Sequence, residues 1–368
     1  MQRKNQAASP SHCRAAKLFP WSCRSESVSH QQAMTHHPVQ KDLSMRLMLA
    51  IMLVLFAASP PARASDGIVG FVVIAVPNGT APPIETALWY PTEGAPPRAT
   101  RLGPFSQDLA PGASVRGRDL PLIVISHGSG SSFTGHVDTA FALAQAGFVV
   151  AAPTHTGDNT RDSSGATDLG ARTRQFAAVI EHVVNWNPGA VSPGRIGAFG
   201  YSAGAFTVLA AAGGTPDIGR INAHCAAHPA FFDCRLIGGA AAAPTQPVLT
   251  RTPHVLRGLV VAAPALGFTF GPGSLAALTM PVQLWQAAED VILPTPNYAE
   301  PVQAALPNPP EFHSVAGAGH FDFMSPCPEG MARAVPAICG SAPGFDRVAF
   351  HARFNADMIR FMTEALRP

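Results

Sequence analysis

The chain has no lysine after Lys41: Lys4, Lys17 and Lys41 account for all of them. The body of the protein therefore has no Walker A lysine, no pyridoxal Schiff-base lysine and no Ser-x-x-Lys acyl-enzyme pair. Charge of either sign is scarce, with 13% charged residues against 47% hydrophobic ones in 368 residues, which excludes a disordered or nucleic-acid-coating protein. The net charge of +2 conceals two unlike parts. Of 25 Lys and Arg, 8 precede Ser65, as do 2 of 23 Asp and Glu, leaving 17 against 21 and a formal charge of −4 for residues 65–368. A basic partner-binding surface, and with it nucleic acid as a partner, is not expected. A long apolar run is also missing, because the unbroken stretch Leu47–Ala58 spans 12 residues and is too short to cross a bilayer.

That short run has the flanks of an export signal. Arg46 precedes it, and Ala62-Arg63-Ala64 follows with small residues at the two positions a signal peptidase reads. Pro60-Pro61 argues against the alternative of a buried core helix. Residues 45–64 are thus read as a signal peptide cut after Ala64, giving a secreted or periplasmic protein. No Cys follows the cut, so no lipoprotein or other stable membrane anchor is indicated. Residues 1–44 are polar and aperiodic, and Met45 opens the signal directly, so they read as an over-extended, non-native or disordered extension. An unusually long n-region is the other account of them.

The mature chain keeps Cys225, Cys234, Cys327 and Cys339. Four cysteines allow three connectivities, and in an exported chain two close pairs read as local disulfides, 225–234 and 327–339. His224, Cys225 and His228 with Cys234 also suggest a zinc cluster, but oxidised cysteines cannot ligate and no second Cys-x-x-Cys exists.

From Leu120 onward, short apolar runs alternate with longer helical stretches. Strands are predicted at Leu120–Ser126, Phe148–Ala152, Arg195–Gly200, Leu256–Ala263, Val282–Ala287 and Phe312–Val315. Helices are predicted at Asp138–Ala146, Asp168–Asn185, Ala203–Ala212 and Asp346–Leu366. Continuous apolar strands alternating with helices imply an α/β fold, with a mostly parallel sheet and helices on both faces. Residues 67–76 and 84–90 read as two antiparallel edge strands, 91–119 as a Pro/Gly-rich surface loop, and 213–255 as a small cap insertion.

The strongest chemical signal is Gly200-Tyr201-Ser202-Ala203-Gly204 between a predicted strand and a predicted helix. This is the setting of a nucleophile elbow, where glycines flank a serine held in a strained turn with its hydroxyl projecting. The alternative is an ordinary small-residue turn. A serine hydroxyl needs a base oriented by a third group. Asp290 and His320 lie just past the ends of two later strands, the same sheet edge as Ser202, with Glu289 the rival acid. Among other histidines, His127 reads as structural and His182 as a surface or packing residue, while His155 lies in a loop. Attack on a carbonyl also requires two N–H donors for the oxyanion. Ala203 offers one, and Ser129, with Gly128 behind it, offers the other from the loop His127-Gly128-Ser129-Gly130. That loop is not a dinucleotide fingerprint, because Phe133 stands where the third glycine is needed.

These motifs, with Pro294 after Asp290, Gly319-His320-Phe321 and the early Leu88-Trp89-Tyr90-Pro91, resemble the α/β-hydrolase superfamily over residues 67–366. They look most like the secreted bacterial branch grouped with dienelactone hydrolase and platelet-activating-factor acetylhydrolase. Dienelactone hydrolase itself uses a cysteine nucleophile, whereas Ser202 favours ordinary carboxylic esters. The expectation is an exported serine esterase acting on a small-molecule ester without metal or organic cofactor, in a catalytic domain spanning 65–368. A lipase or peptidase on the same scaffold and a catalytically silent binding module are the competing readings.

Overall fold

The computed structural model describes residues 67–238 and 247–368. The extension at 1–44, the signal peptide at 45–64 with its cut after Ala64, and residues 239–246 of the cap insertion lie outside the described residues.

Ten strands form one mostly parallel sheet in the order β10-β9-β8-β7-β5-β6-β2-β1-β4-β3. They are β1 (Val69–Val76), β2 (Ile84–Pro91), β3 (Arg98–Leu102), β4 (Phe105–Pro111), β5 (Leu120–Ser126), β6 (Val149–Pro153), β7 (Val191–Tyr201), β8 (Leu256–Ala262), β9 (Val282–Ala287) and β10 (Glu311–Val315). The parallel part arises because its strands are apolar on both faces and are joined by helices: α1 (Val137–Gln145), α2 (Leu169–Trp186) and α3 (Ala203–Ala211). Side chains alternate across the sheet. Leu122, Val124, Ile196 and Ala198 pack with Phe176, Ile180 and Val183 of α2 and Phe206 of α3. Ile123, Ile125 and Phe199 face the other way, against Val137 and Leu143 of α1. The C-terminal helix α9 (Arg347–Ala365) adds Phe350, Phe354, Met358 and Met362 to that second core. The helices on both faces are thus those the periodicity predicts, with bounds moved by a residue or so at each end.

Three expectations need correction. Residues 91–119 are not simply a surface loop, because β3 and β4 form an antiparallel hairpin there, turning at Gly103 (φ 59°). Leu102 and Leu109 are buried in it, and Trp89 Nε1 donates to Gln107 Oε1 at 3.0 Å. Consequently β1 and β2 are not at the edge. β4 runs parallel to β1 at Gly70–Phe71, so the hairpin takes the outer position. The prolines and glycines around these short strands hide their alternation. Likewise β7 begins at Val191, four residues ahead of the expected Arg195, because a register shift against β5 accommodates Pro193.

The insertion 213–255 contains two short helices, α4 (Arg220–Ala227) and α5 (Phe232–Gly238), stapled by a Cys225–Cys234 disulfide. After β9 come α6 (Ala299–Ala305), then α7 (Glu329–Ala334) and α8 (Pro336–Cys339) beyond β10. A second disulfide joins Cys327 to Cys339. Both pairings are those expected from spacing, and the sulfurs of Cys225 and Cys234 are bonded to each other rather than free as thiolates. No helix among the described residues is long and apolar enough to cross a membrane.

Candidate active site

Strand order reverses at β5, which has β6 on one side and β7 on the other. Such a reversal leaves a crevice at the carboxyl ends of the two strands that diverge, and Ser126 and Tyr201 end β5 and β7 there.

Ser202 sits between β7 and α3 with φ 55° and ψ −118°, a conformation that costs an ordinary residue about 1–3 kcal/mol. Its backbone is held on both sides. The Ser202 N–H donates to Ala262 O at 3.0 Å, and its carbonyl accepts from Ala205 at 2.9 Å and Ala265 at 3.1 Å. The flanking glycines are required by space. A Cβ on Gly204 would lie 1.8 Å from Ser126 O, and one on Gly200 would lie 2.3 Å from Gly204 O.

Three sequence-predicted side chains meet at this point. His320 Nε2 lies 3.1 Å from Ser202 Oγ, and His320 Nδ1 lies 2.7 Å from Asp290 Oδ2. Asp290 Oδ1 accepts from the Ile292 and Leu293 amides at 2.9 and 2.8 Å. With its acceptor capacity so used, Asp290 fixes the proton of His320 on Nδ1 and leaves Nε2 as the acceptor facing the serine hydroxyl. The rival Glu289 is exposed, whereas Asp290 is buried, and only Asp290 contacts His320. The loops after β9 and β10 are tied together by the Glu289 N–H donating to Ala318 O at 2.9 Å. That tie brings the aspartate and the histidine to one place.

No protein-family model and no curated protein matches this chain.

Ala203 and Ser129, whose amides are the expected oxyanion donors, both line the same small cavity as Ser202. Neither backbone N–H has a hydrogen-bond partner among the described residues. Gly128 has a different duty: a Cβ there would come within 3.0 Å of the Tyr201 ring and 3.3 Å of Ser202 Cβ. His127 is structural, as expected. Its Nδ1–H donates to Gly128 O at 2.7 Å, and its Nε2 accepts from the His155 amide at 3.0 Å. The loop residue His155 bridges Ser126 Oγ at 2.9 Å and Gln175 Oε1 at 3.0 Å. Burial, with the Arg172 charge adding to it, pushes both imidazoles well below their ordinary pKa. His182 lies on α2, half-buried and outside the site.

Sequence reasoning missed the groups that support these loops. Arg172 and Asp158 form a buried ion pair at 2.6 Å. Asp158 Oδ1 accepts from Ser129 Oγ and from the Gly130 amide, both at 2.8 Å, while Arg172 also donates to His127 O. The pair thus pins the glycine loop from below. A signal was present, since Arg172 falls on the apolar stripe of α2 with Phe176, Val179, Ile180 and Val183, where an arginine requires a buried partner. On the histidine side, the Tyr201 hydroxyl donates to His320 O at 3.0 Å. Burial, followed by the nearby Asp290 charge, pushes that phenol's pKa well up and keeps it a donor. Asp322 Oδ2 accepts from the Gly319 amide at 2.7 Å and its Oδ1 from Arg347 Nε at 2.8 Å, locking the turn that carries His320.

Two cavities flank Ser202. One, about 50 Å³, is lined mainly by apolar groups, among them Leu169, Phe206, Leu236 and Leu266, together with Ser129 and Ala203. The other, about 240 Å³, contains His320, Tyr201, Met324, Met331 and Ile338. Phe232 of the disulfide-stapled cap borders both. A larger depression of about 730 Å³ lies along β10 and contains none of these site residues.

Proposed function

We propose that this chain is an exported serine hydrolase on an α/β-hydrolase fold, cleaving small carboxylic esters through an acyl-enzyme intermediate. The observation that carries the reading is the continuous hydrogen-bonded series from Ser202 Oγ through His320 to Asp290, with the serine on a strained strand-to-helix turn. His320 Nε2 takes the hydroxyl proton as Oγ bonds to the ester carbonyl carbon. The negative charge that develops on the carbonyl oxygen is stabilised by the Ala203 and Ser129 N–H groups, each such donor being worth roughly 10²–10³ in turnover. The imidazolium, steadied by Asp290, then protonates the departing alkoxide. Water enters, gives its proton to Nε2 and releases the acid by the same steps in reverse.

The proton donor's position also assigns the two cavities. The alcohol must leave beside Nε2, so it occupies the 240 Å³ cavity that contains His320. The acyl chain takes the 50 Å³ cavity, which has room for a few heavy atoms and favours a short-chain esterase over a lipase. Covalent labelling tests the reading. A fluorophosphonate should modify the protein at Ser202 alone, and Ser202→Ala should lose both labelling and several orders of magnitude of ester turnover. Undiminished ester cleavage by that variant would reject the assignment.

A further inference from the structure

The acyl-side cavity is mostly apolar; besides Ser202, Ser129 and the hydroxyl of Thr167, it is lined by one ionisable side chain, the carboxyl of Asp233 on α5. Asp233 is only 5% exposed. Its Oδ1 is fully engaged, accepting from the Tyr298 hydroxyl and from the Cys234 amide, both at 2.9 Å. Its Oδ2 is buried and has no hydrogen-bond partner among the described residues. A buried carboxylate oxygen with nothing to accept is costly, and a ligand donor reaching it would remove that cost.

Burial pushes the Asp233 pKa up, opposed by the Tyr298 and Cys234 hydrogen bonds. The placement is also firm. Asp233 adjoins the Cys225–Cys234 disulfide, and Tyr298, its partner, is itself approached by His224 at 3.3 Å, whose ring stacks on Phe268. A group held this way cannot swing out to water to satisfy its free oxygen.

We propose that Asp233 is a specificity-determining residue that accepts a hydrogen bond from a hydroxyl group on the acyl chain, so that the preferred substrates are esters of short hydroxy acids. The inference rests on the assignment of the small cavity to the acyl group. Donor arithmetic selects the hydroxyl over an ammonium. One free acceptor atom matches one O–H, whereas an ammonium would bring three donors into a cavity whose other walls are mostly aliphatic and aromatic.

Three para-nitrophenyl esters of equal size test this: butyrate, β-hydroxypropionate and β-alanine, which end in methyl, hydroxyl and ammonium. With rates corrected for spontaneous hydrolysis, kcat/KM of the wild type should favour the hydroxy ester over butyrate by at least about tenfold, in line with a site whose buried acceptor is left unpaired by the apolar analogue. Asp233→Asn keeps an oxygen for Tyr298 and Cys234 and turns the unpartnered acceptor into a donor. In that variant the same ratio should fall at least about fivefold, since the substrate hydroxyl loses its acceptor. A wild-type ratio near one overturns the proposal whether or not the variant folds, as does an unchanged ratio in a folded Asp233→Asn. The β-alanine ester as best substrate would replace the hydroxyl by a cation. If fluorophosphonate labels Ser202 while the ratio is near one, only the role of Asp233 fails. If no ester is cleaved and Ser202 is not labelled, the hydrolase reading itself fails.

Discussion

Replacing Asp290 by asparagine gives the sharpest test of the proposed triad, because its effect follows from counting donors. Asp290 serves three of them: the Ile292 and Leu293 amides on Oδ1 and His320 Nδ1 on Oδ2. Asparagine has one oxygen for these. If that oxygen stays with the two amides, the side-chain NH₂ faces His320, which must then carry its proton on Nε2 and cannot accept from Ser202. If the oxygen turns to His320, the NH₂ faces two buried amides that lose their acceptor, at about 1–3 kcal/mol each. The productive orientation is therefore disfavoured by roughly 2–6 kcal/mol, or about 30-fold to 10⁴-fold in population. The imidazolium also loses its counter-charge, which places the expected loss of turnover near 10⁴, as for the corresponding change in serine proteases. Steady-state hydrolysis of a nitrophenyl ester reads the loss, and an unfolding curve shows that the fold persists. Exposed Glu289, changed to Gln, should alter turnover by less than about tenfold because its charge is screened by solvent. Turnover of Asp290→Asn within tenfold of wild type, or a larger loss in Glu289→Gln, would refute the argument.

Gly204→Ala would set a Cβ 1.8 Å from the backbone oxygen of Ser126, which cannot move aside as a side chain would, and should lower stability in urea by more than about 3 kcal/mol; a soluble variant of unchanged midpoint contradicts the elbow geometry. Asp158→Ala leaves Arg172 buried without its partner, so stability should drop by about 3–5 kcal/mol and turnover more than tenfold as the glycine loop loosens. Burial pushes the His136 imidazole down to about 4, so between its unfolded value near 6.5 and that figure only the unfolded chain takes up the proton. Stability should therefore fall as pH drops from about 7 to 4, by on the order of 3 kcal/mol from this residue, and His136→Phe should flatten the slope measured by urea titration. Intact mass of exported protein should show a chain beginning at Ser65 and lacking the four thiol hydrogens of two disulfides; free thiols or a start upstream of Met45 would reject the export reading.

The parts legible in the sequence are those fixed by local chain geometry. Gly200-Tyr201-Ser202-Ala203-Gly204 announces its turn as a local pattern, and Gly200 answers a steric demand from Gly204 within those five residues, although Gly204 answers one from Ser126 at the end of β5. The cysteine pairs close over 9 and 12 residues, so spacing alone suggested the partners. Parallel strands declare themselves by being apolar on both faces, and Ser202, Asp290 and His320 follow from their position at strand ends. What only the tertiary structure decided depends on groups distant in the chain. Asp290 prevails over Glu289 because one faces inward and the other outward where β9 ends, a matter of a single residue's direction. The β3–β4 hairpin owes its place to pairing with β1 and to Gln107 reaching Trp89, contacts that its Pro- and Gly-rich surroundings do not announce. Asp158 meets Arg172 across α2, and Asp233 owes its free oxygen to the way α5, Tyr298 and the cavity wall come together. A buried carboxyl and a solvated one read alike in sequence, since burial is set by everything packed around the residue and not by its neighbours in the chain.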